Sequence, residues 1–222
     1  MHNSLNNLIE IQKEIQLKIS QANNFTKQPQ VIAVSKTRPI AEILPLINYG
    51  HLHFGENKVQ ESIEKWGNIK SDFNNLNLHM IGKLQTNKVK YAISLFDYIH
   101  SLDNIKLAEK IANEQIKQKK NIKLFIQINL GDESQKSGIS ILEARDFYNK
   151  CTRELNLNIL GFMCLPPNNN QVSQYFLKMK NLTVSMKLKE LSMGMSNDYL
   201  EAIKFQSSYL RIGSKIFGQR NQ

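Results

Sequence analysis

Only two cysteines occur in 222 residues, Cys151 and Cys164, and they stand apart without a C-x-x-C pair or metal-ligand spacing. That excludes a disulfide framework and an ordinary zinc site, so both are expected as free, packed thiols. No apolar run approaches the roughly 18 residues that a membrane span needs. The first residues, "MHNSLNNLIEIQKEIQLKIS", lack the basic-then-apolar layout of a signal peptide, and a cytosolic protein is expected. Aromatics are sparse at 8% and are not interleaved with the lysines. The net charge of +10 therefore reads as solvated helix faces, "KQKKNIK" being the densest cluster, and a dedicated nucleic-acid surface is not expected.

What is present is the composition of an ordinary globular chain, 41% hydrophobic and 22% charged, able to bury a sizeable core. One domain over residues 1–222 is the default, since barrels of alternating strands and helices reach this size as one unit. Short β-rich runs recur at 31–34, 52–54, 78–81, 98–100, 122–128, 159–163, 190–193 and 209–212. Between them lie "AEILPLI", "ENKVQESIEKW", "TNKVKYAISLF", "NIKLAEKIANEQIKQ", "SILEARDFYNKC", "VSQYFLKMKNL" and "NDYLEAIKFQ", with apolar residues three and four apart. Eight strands alternating with helical segments predict an α/β fold, a single (β/α)₈ barrel of the TIM type. An open doubly wound sheet is the alternative, weakened because no G-x-G-x-x-G follows the first strand. Residues 3 to about 21 carry Leu5, Leu8, Ile9, Ile11, Ile15, Leu17 and Ile19 in a helical pattern, an extra N-terminal helix packed outside the barrel. Asn-rich stretches at 74–77 and 168–170 fit loops.

Parallel barrels do their chemistry where the strands end at their carboxyl side. Those positions hold Ser35 and Lys36, then Gly55, Glu56 and Asn57, then His79 leading to Gly82 and Lys83, then Ser101 and Asp103. Further along come Asn129 with "GDESQKSG", Met163 and Cys164, Gly194-Met195-Ser196, and Arg211-Ile212-Gly213-Ser214. In "SMGMSND", Gly194 lets the backbone approach a ligand and Ser196 is placed as the cap of the next helix. "RIGSKIFG" repeats the arrangement with Gly213 and Ser214. Each glycine alone reads as a tight turn; as a pair in the loops after strands seven and eight they read as a phosphate site. Lys36 alone reads as a solvated strand-end cation. Desolvated beside another cation such as Arg211, its amine would become nucleophilic toward an aldehyde. Amine and phosphate nest together point to pyridoxal 5′-phosphate. Arg211 is then the candidate to face the pyridine nitrogen, where a guanidinium can only donate and leaves that nitrogen unprotonated. The alternative for Arg211 is a rim salt bridge.

"VIAVSKTRP", "FGENKVQE", "HMIGKLQTNK", "SQKSGI", "GFMCLPP", "LSMGMSNDYLEAI" and "LRIGSKIFGQR" together resemble, in order and spacing, the pyridoxal phosphate homeostasis proteins, relatives of the alanine racemase N-terminal barrel. The resemblance runs from about residue 5 to residue 220. It implies that Lys36 is the lysine that forms the internal aldimine and Arg211 the arginine at the ring nitrogen. It implies further that Ser196, Gly213 and Ser214, with the backbone of Met195, hold the phosphate, and that Asn57 lines the pocket. Lys136 matches a second lysine thought to help cofactor entry or transfer. Gln206 and Ser208 stand where the family usually has glycine and threonine, and Arg38 stands where a lysine is common. Arg38 keeps the charge but forms no Schiff base at neutral pH.

The expectation is a protein that binds pyridoxal 5′-phosphate and buffers it or delivers it to apo-enzymes that need it. A weak amino-acid racemase is the alternative. Racemases of this kind use a second, β-rich domain supplying a tyrosine across a dimer. No such domain is legible here, so little catalysis and a monomer are expected. Two-base racemisation needs paired acid/base groups, and the sequence offers only Lys36.

Overall fold

Side chains of a strand alternate between two faces, and here the alternation sorts the sequence into two interiors. The computed structural model describes residues 3–21, 28–73, 75–131, 137–167, 169 and 171–219. Eight parallel strands, β1 (Gln30–Val34), β2 (His53–Glu56), β3 (Asn77–Met80), β4 (Tyr98–Leu102), β5 (Lys123–Ile128), β6 (Ile159–Cys164), β7 (Glu190–Ser192) and β8 (Tyr209–Ile212), follow in order around a closed barrel. Closure is made by β1 on β8, with Val31 opposite Leu210 and Ile32 opposite Arg211. The predicted barrel is therefore the observed one, and each predicted strand lies within two residues of its observed bounds.

Outward-facing strand residues such as Ala33, Phe54, Leu78, Ile99, Leu124 and Leu210 join the main core under the helices. Inward-facing Ile32, Tyr98, Phe125, Met163 and Tyr209 form a second, smaller core inside the barrel. The helices are α1 (Asn3–Ser20), α2 (Ile40–Asn48), α3 (Val59–Trp66), α4 (Val89–Leu95), α5 (Ile105–Gln118), α6 (Ala144–Asn149), α7 (Val172–Ser185), α8 (Tyr199–Lys204) and α9 (Ser214–Phe217). The N-terminal helix α1 buries Leu8, Ile11 and Ile15, one stripe at spacings of three and four, against α2, α8 and α9. Leu17 points away and is exposed.

Local signals explain most boundaries. Asn104 caps α5 by accepting the Leu107 amide at 2.9 Å, and the helix ends at Lys119 in a left-handed turn. The helix expected from Ser140 begins only at Ala144. Ser140 Oγ donates to the Glu143 carboxylate and accepts the Glu143 amide, making a separate capped turn. Leu142 on that turn is 92% exposed, so the segment has no apolar face to bury there. After α6 the chain continues through a π-helical turn, Lys150–Glu154. Cys151 and Cys164 are both free and buried, as expected of packing thiols. Among the described residues no helix is long and apolar enough to cross a membrane.

Candidate functional site

The apolar run of β1 ends because Ser35 is needed inside. It is fully buried, and its hydroxyl donates to Glu56 Oε1 at 2.7 Å. The same carboxylate oxygen accepts from Lys65 Nζ and Trp66 Nε1, both at 3.0 Å, and Lys65 also reaches the Ser35 carbonyl at 2.8 Å. Glu61 completes a clamp by pairing with Lys65 and accepting the Thr37 amide at 2.5 Å. Thr37 sits at φ 61°, a conformation that costs a β-branched residue about 1–3 kcal/mol and persists only where neighbours enforce it. Between Ser35 and Thr37 the half-buried Lys36 is carried on backbone held from both sides and lines a cavity of about 650 Å³.

Glu61 titrates below the usual carboxylate range. Burial works to raise it, but the Thr37 amide, the Lys65 ammonium and the charge of Lys58 outweigh that. Asn57, one residue past β2, lines the cavity, and the loop after β3 crosses directly over its backbone. A Cβ on Gly82 would stand 2.3 Å from the Asn57 carbonyl oxygen, so only glycine permits the crossing.

On the opposite wall the loops after β7 and β8 meet. Gly194 turns at φ +91°, and a Cβ there would fall 2.6 Å from Ala202 Cβ on α8. Ser196 is not the cap of α8. That helix starts at Tyr199 after Asp198, whose Oδ1 accepts the Met195 amide at 2.5 Å. Ser196 Oγ instead accepts the amides of Gly213 and Lys215, each at 3.2 Å, and so ties the two loops together. Two accepted amides leave its own O–H to donate into the cavity.

Arg211, on β8, is 4% exposed and lines the same cavity. Its Nη1 donates to Ser192 Oγ at 2.7 Å and its Nη2 to the Cys164 carbonyl at 2.8 Å. No carboxylate pairs with it among the described residues, which removes the rim salt bridge. Burial lowers its pKa, with Cys164 and Asp198 working the other way.

All seven residues singled out from the sequence, Lys36, Asn57, Met195, Ser196, Arg211, Gly213 and Ser214, line this one cavity. Lys83, Ser101, Asp103 and Asn129, expected on the same rim, do not. Lys136 lies outside the described residues. Arg38 lines the cavity too, with its guanidinium held by the Gly218 and Gln219 carbonyls and by Glu42. Leu165, Pro166 and Pro167 form an apolar lip that sequence reasoning passed over, although "GFMCLPP" places them straight after β6. The clamp was also missed. Its signal was Glu56, Glu61 and Lys65, the last two one helical turn apart on α3.

The cavity suits pyridoxal 5′-phosphate on its own chemistry. It offers a primary amine, a hydroxyl and amide cradle for an anion, and a guanidinium with donors alone. Asp198, the one carboxylate among the described lining residues, is turned to the Met195 amide. Its volume is within the usual range for small-molecule sites.

Comparison with known proteins agrees with this chemistry. The family model for the alanine racemase N-terminal domain matches residues 12–221. The pyridoxal phosphate homeostasis protein of Haemophilus influenzae is 35% identical over 229 residues, covering 99% of this chain and 97% of that protein. PipY of Synechococcus elongatus PCC7942 is similar both without and with pyridoxal phosphate bound, at TM-scores of 0.82 and 0.78. Each PipY structure is 31% identical and aligns over 92% of this chain and 100% of the other.

Proposed function

Because the chain belongs to the pyridoxal phosphate homeostasis proteins, within the alanine racemase N-terminal domain family, we propose that it binds pyridoxal 5′-phosphate in this cavity and keeps its supply in balance. The observation that carries the reading is the convergence of Lys36, Ser196, Gly213 and Arg211, from the first and the last two strand ends, on one cavity. When bound, the cofactor supplies an aldehyde that condenses reversibly with primary amines.

Lys36 presents the amine, on backbone that the Glu56–Lys65–Glu61 clamp keeps from shifting. Ser196, through its O–H, and the Ser214 amide hold the phosphate, while Met195 and Gly213 shape the loops around it, their own amides being taken by Asp198 and Ser196. Arg211 faces the ring nitrogen as a donor, so the chain supplies no proton that would turn the ring into a strong electron sink. Asn57 lines the cavity as well. Lys36 is only half buried, and the lining residues Leu165 and Met195 are 44% and 38% exposed, so the held molecule stays reachable from solvent. A shielded but reachable aldehyde fits buffering and hand-over to apo-enzymes better than turnover. The reading extends to a cytosolic monomer.

The test is reductive trapping. Wild-type protein mixed with the cofactor should gain a visible absorption band that borohydride removes, with the label mapping to Lys36 and absent from Lys36→Ala. A band that persists in folded Lys36→Ala, or no band in the wild type, overturns the assignment. Solvent deuterium appearing at the α-carbon of an amino acid, at rates that turnover requires, would replace it with the racemase reading.

A further inference from the structure

The barrel interior holds a line of hydrogen bonds that the proposed cofactor chemistry does not use. His53, His79 and His100 sit at inward positions of β2, β3 and β4. His53 Nδ1 meets His79 Nε2, His79 Nδ1 meets His100 Nε2, and His100 Nδ1 meets Ser192 Oγ, each at 2.9 Å. Ser192 Oγ in turn receives Arg211 Nη1 at 2.7 Å. The line therefore runs from the cavity through the barrel to its amino-terminal mouth, where His53 is partly exposed. His79 stacks on Tyr98 with centroids 4.2 Å apart and His100 on Phe125 at 4.4 Å, so neither ring can turn over in place.

We propose that His53, His79, His100 and Ser192 are positioning residues for Arg211: a hydrogen-bond wire, polarised in one direction by the guanidinium, that holds Arg211 as a fixed, charged donor at the cavity. The direction follows from proton counting. Arg211 has only donors, so Ser192 Oγ must accept from it. Among the described residues the Ser192 hydroxyl has one acceptor for its own proton, His100 Nδ1. His100 then carries its proton on Nε2 and donates to His79, and His79 does the same to His53. Each ring turns its bare nitrogen toward Arg211, and the aligned dipoles supply the counter-field that a carboxylate would otherwise give.

A carboxylate in that place would be a permanent negative charge beside the ring nitrogen's donor. Neutral imidazoles avoid it. They are kept neutral by burial, which lowers all three, His79 and His100 far below the ordinary histidine value. The charged and titratable groups facing the wire are His51, Asp97 and Lys123 at its outer end, Tyr98 and Tyr209 alongside it with Glu190 next to Tyr209, and Arg211 at its inner end with Asp198 acting on it from the cavity side.

The wire is tested first without cofactor, so that its failure is separate from failure of the binding reading on which its purpose rests. Long-range ¹⁵N–¹H correlation spectra of the imidazoles should show His53, His79 and His100 neutral at pH 7 and all protonated on Nε2. Arg211→Met, and separately Ser192→Ala, should mix the tautomers at His100 and His79 while leaving His51 unchanged. A wild-type Nδ1–H form at any of the three, or tautomers unmoved by both variants, overturns the proposal. With cofactor, His100→Phe should weaken retention about tenfold, the worth of one charge-assisted hydrogen bond, and His100→Gln should recover part of it. Equal retention in all three proteins, once the wild type is shown to bind, would also overturn it.

Discussion

The cavity has two cationic walls, and they are held by opposite means. Behind Lys36, a lysine and two carboxylates lock the backbone: Lys65 pairs with Glu56 and with Glu61, both at 3.0 Å. Behind Arg211 no carboxylate is found among the described residues, and neutral imidazoles and a serine stand instead. On the proposed reading the Lys36 amine must gain and lose a proton, and the ion pair acts on the backbone around it, at the Ser35 carbonyl and the Thr37 amide. On the same reading the Arg211 guanidinium must only donate, which needs orientation without neutralisation. The two walls show that the same sign of charge demands different surroundings when its chemical task differs.

Breaking the Lys36 wall should have the larger effect on the fold. Lys65→Met leaves Glu56, with no exposed surface, as an uncompensated buried charge and should cost about 3–5 kcal/mol. Urea unfolding measures it, and yields of the trapped Lys36 adduct should fall with it.

Acid separates the walls by pH. Burial depresses His51 to about 4 from its ordinary 6.5, and lowers His53, His79 and His100 as well. In that window the unfolded chain binds protons that the folded chain refuses. Stability is therefore fully present above pH 6.5 and falls as pH drops toward about 4, by up to about 1.4 kcal/mol per pH unit for each such group. Glu61, held below 4.5, adds its loss only below that value. Thermal melts from pH 8 to about 2 should thus show an imidazole phase before a carboxylate phase, and a flat profile between 6.5 and 5 would contradict the burial of the histidines.

The smallest effect is expected at Arg211. Arg211→Met loses hydrogen bonds to Ser192 and Cys164 but relieves a buried charge without a carboxylate, so the fold should stay within about 1 kcal/mol of wild type. Retention of the cofactor should drop nonetheless, and equilibrium dialysis beside urea melts would show the two effects dissociated.

Strand order and the N-terminal helix were legible from local pattern, and Lys36, Ser196, Arg211, Gly213 and Ser214 from the rule that strand ends carry chemistry, whereas Asn57 and Met195 stood out from other strand-end residues only through the family resemblance. The imidazole line was not. His53, His79 and His100 meet only through the register of β2, β3 and β4, and a sequence does not display which inward positions share a level. Ser196 has the sequence signature of a helix cap, since serine before a helix usually is one. Its true partners, the amides of Gly213 and Lys215, lie beyond β8 and come into reach only when the barrel closes.

That closure has a consequence for synthesis. β1, which delivers Lys36, pairs with β8, which delivers Arg211, so the two cationic walls come from opposite ends of the barrel-forming chain. Contacts so far apart in sequence form late and slowly. A nascent chain on the ribosome has its amine long before it has its anion cradle or its guanidinium. On the proposed reading, cofactor capture is thereby reserved for chains whose last strand has closed on the first, and occupancy of the cavity would certify a finished barrel.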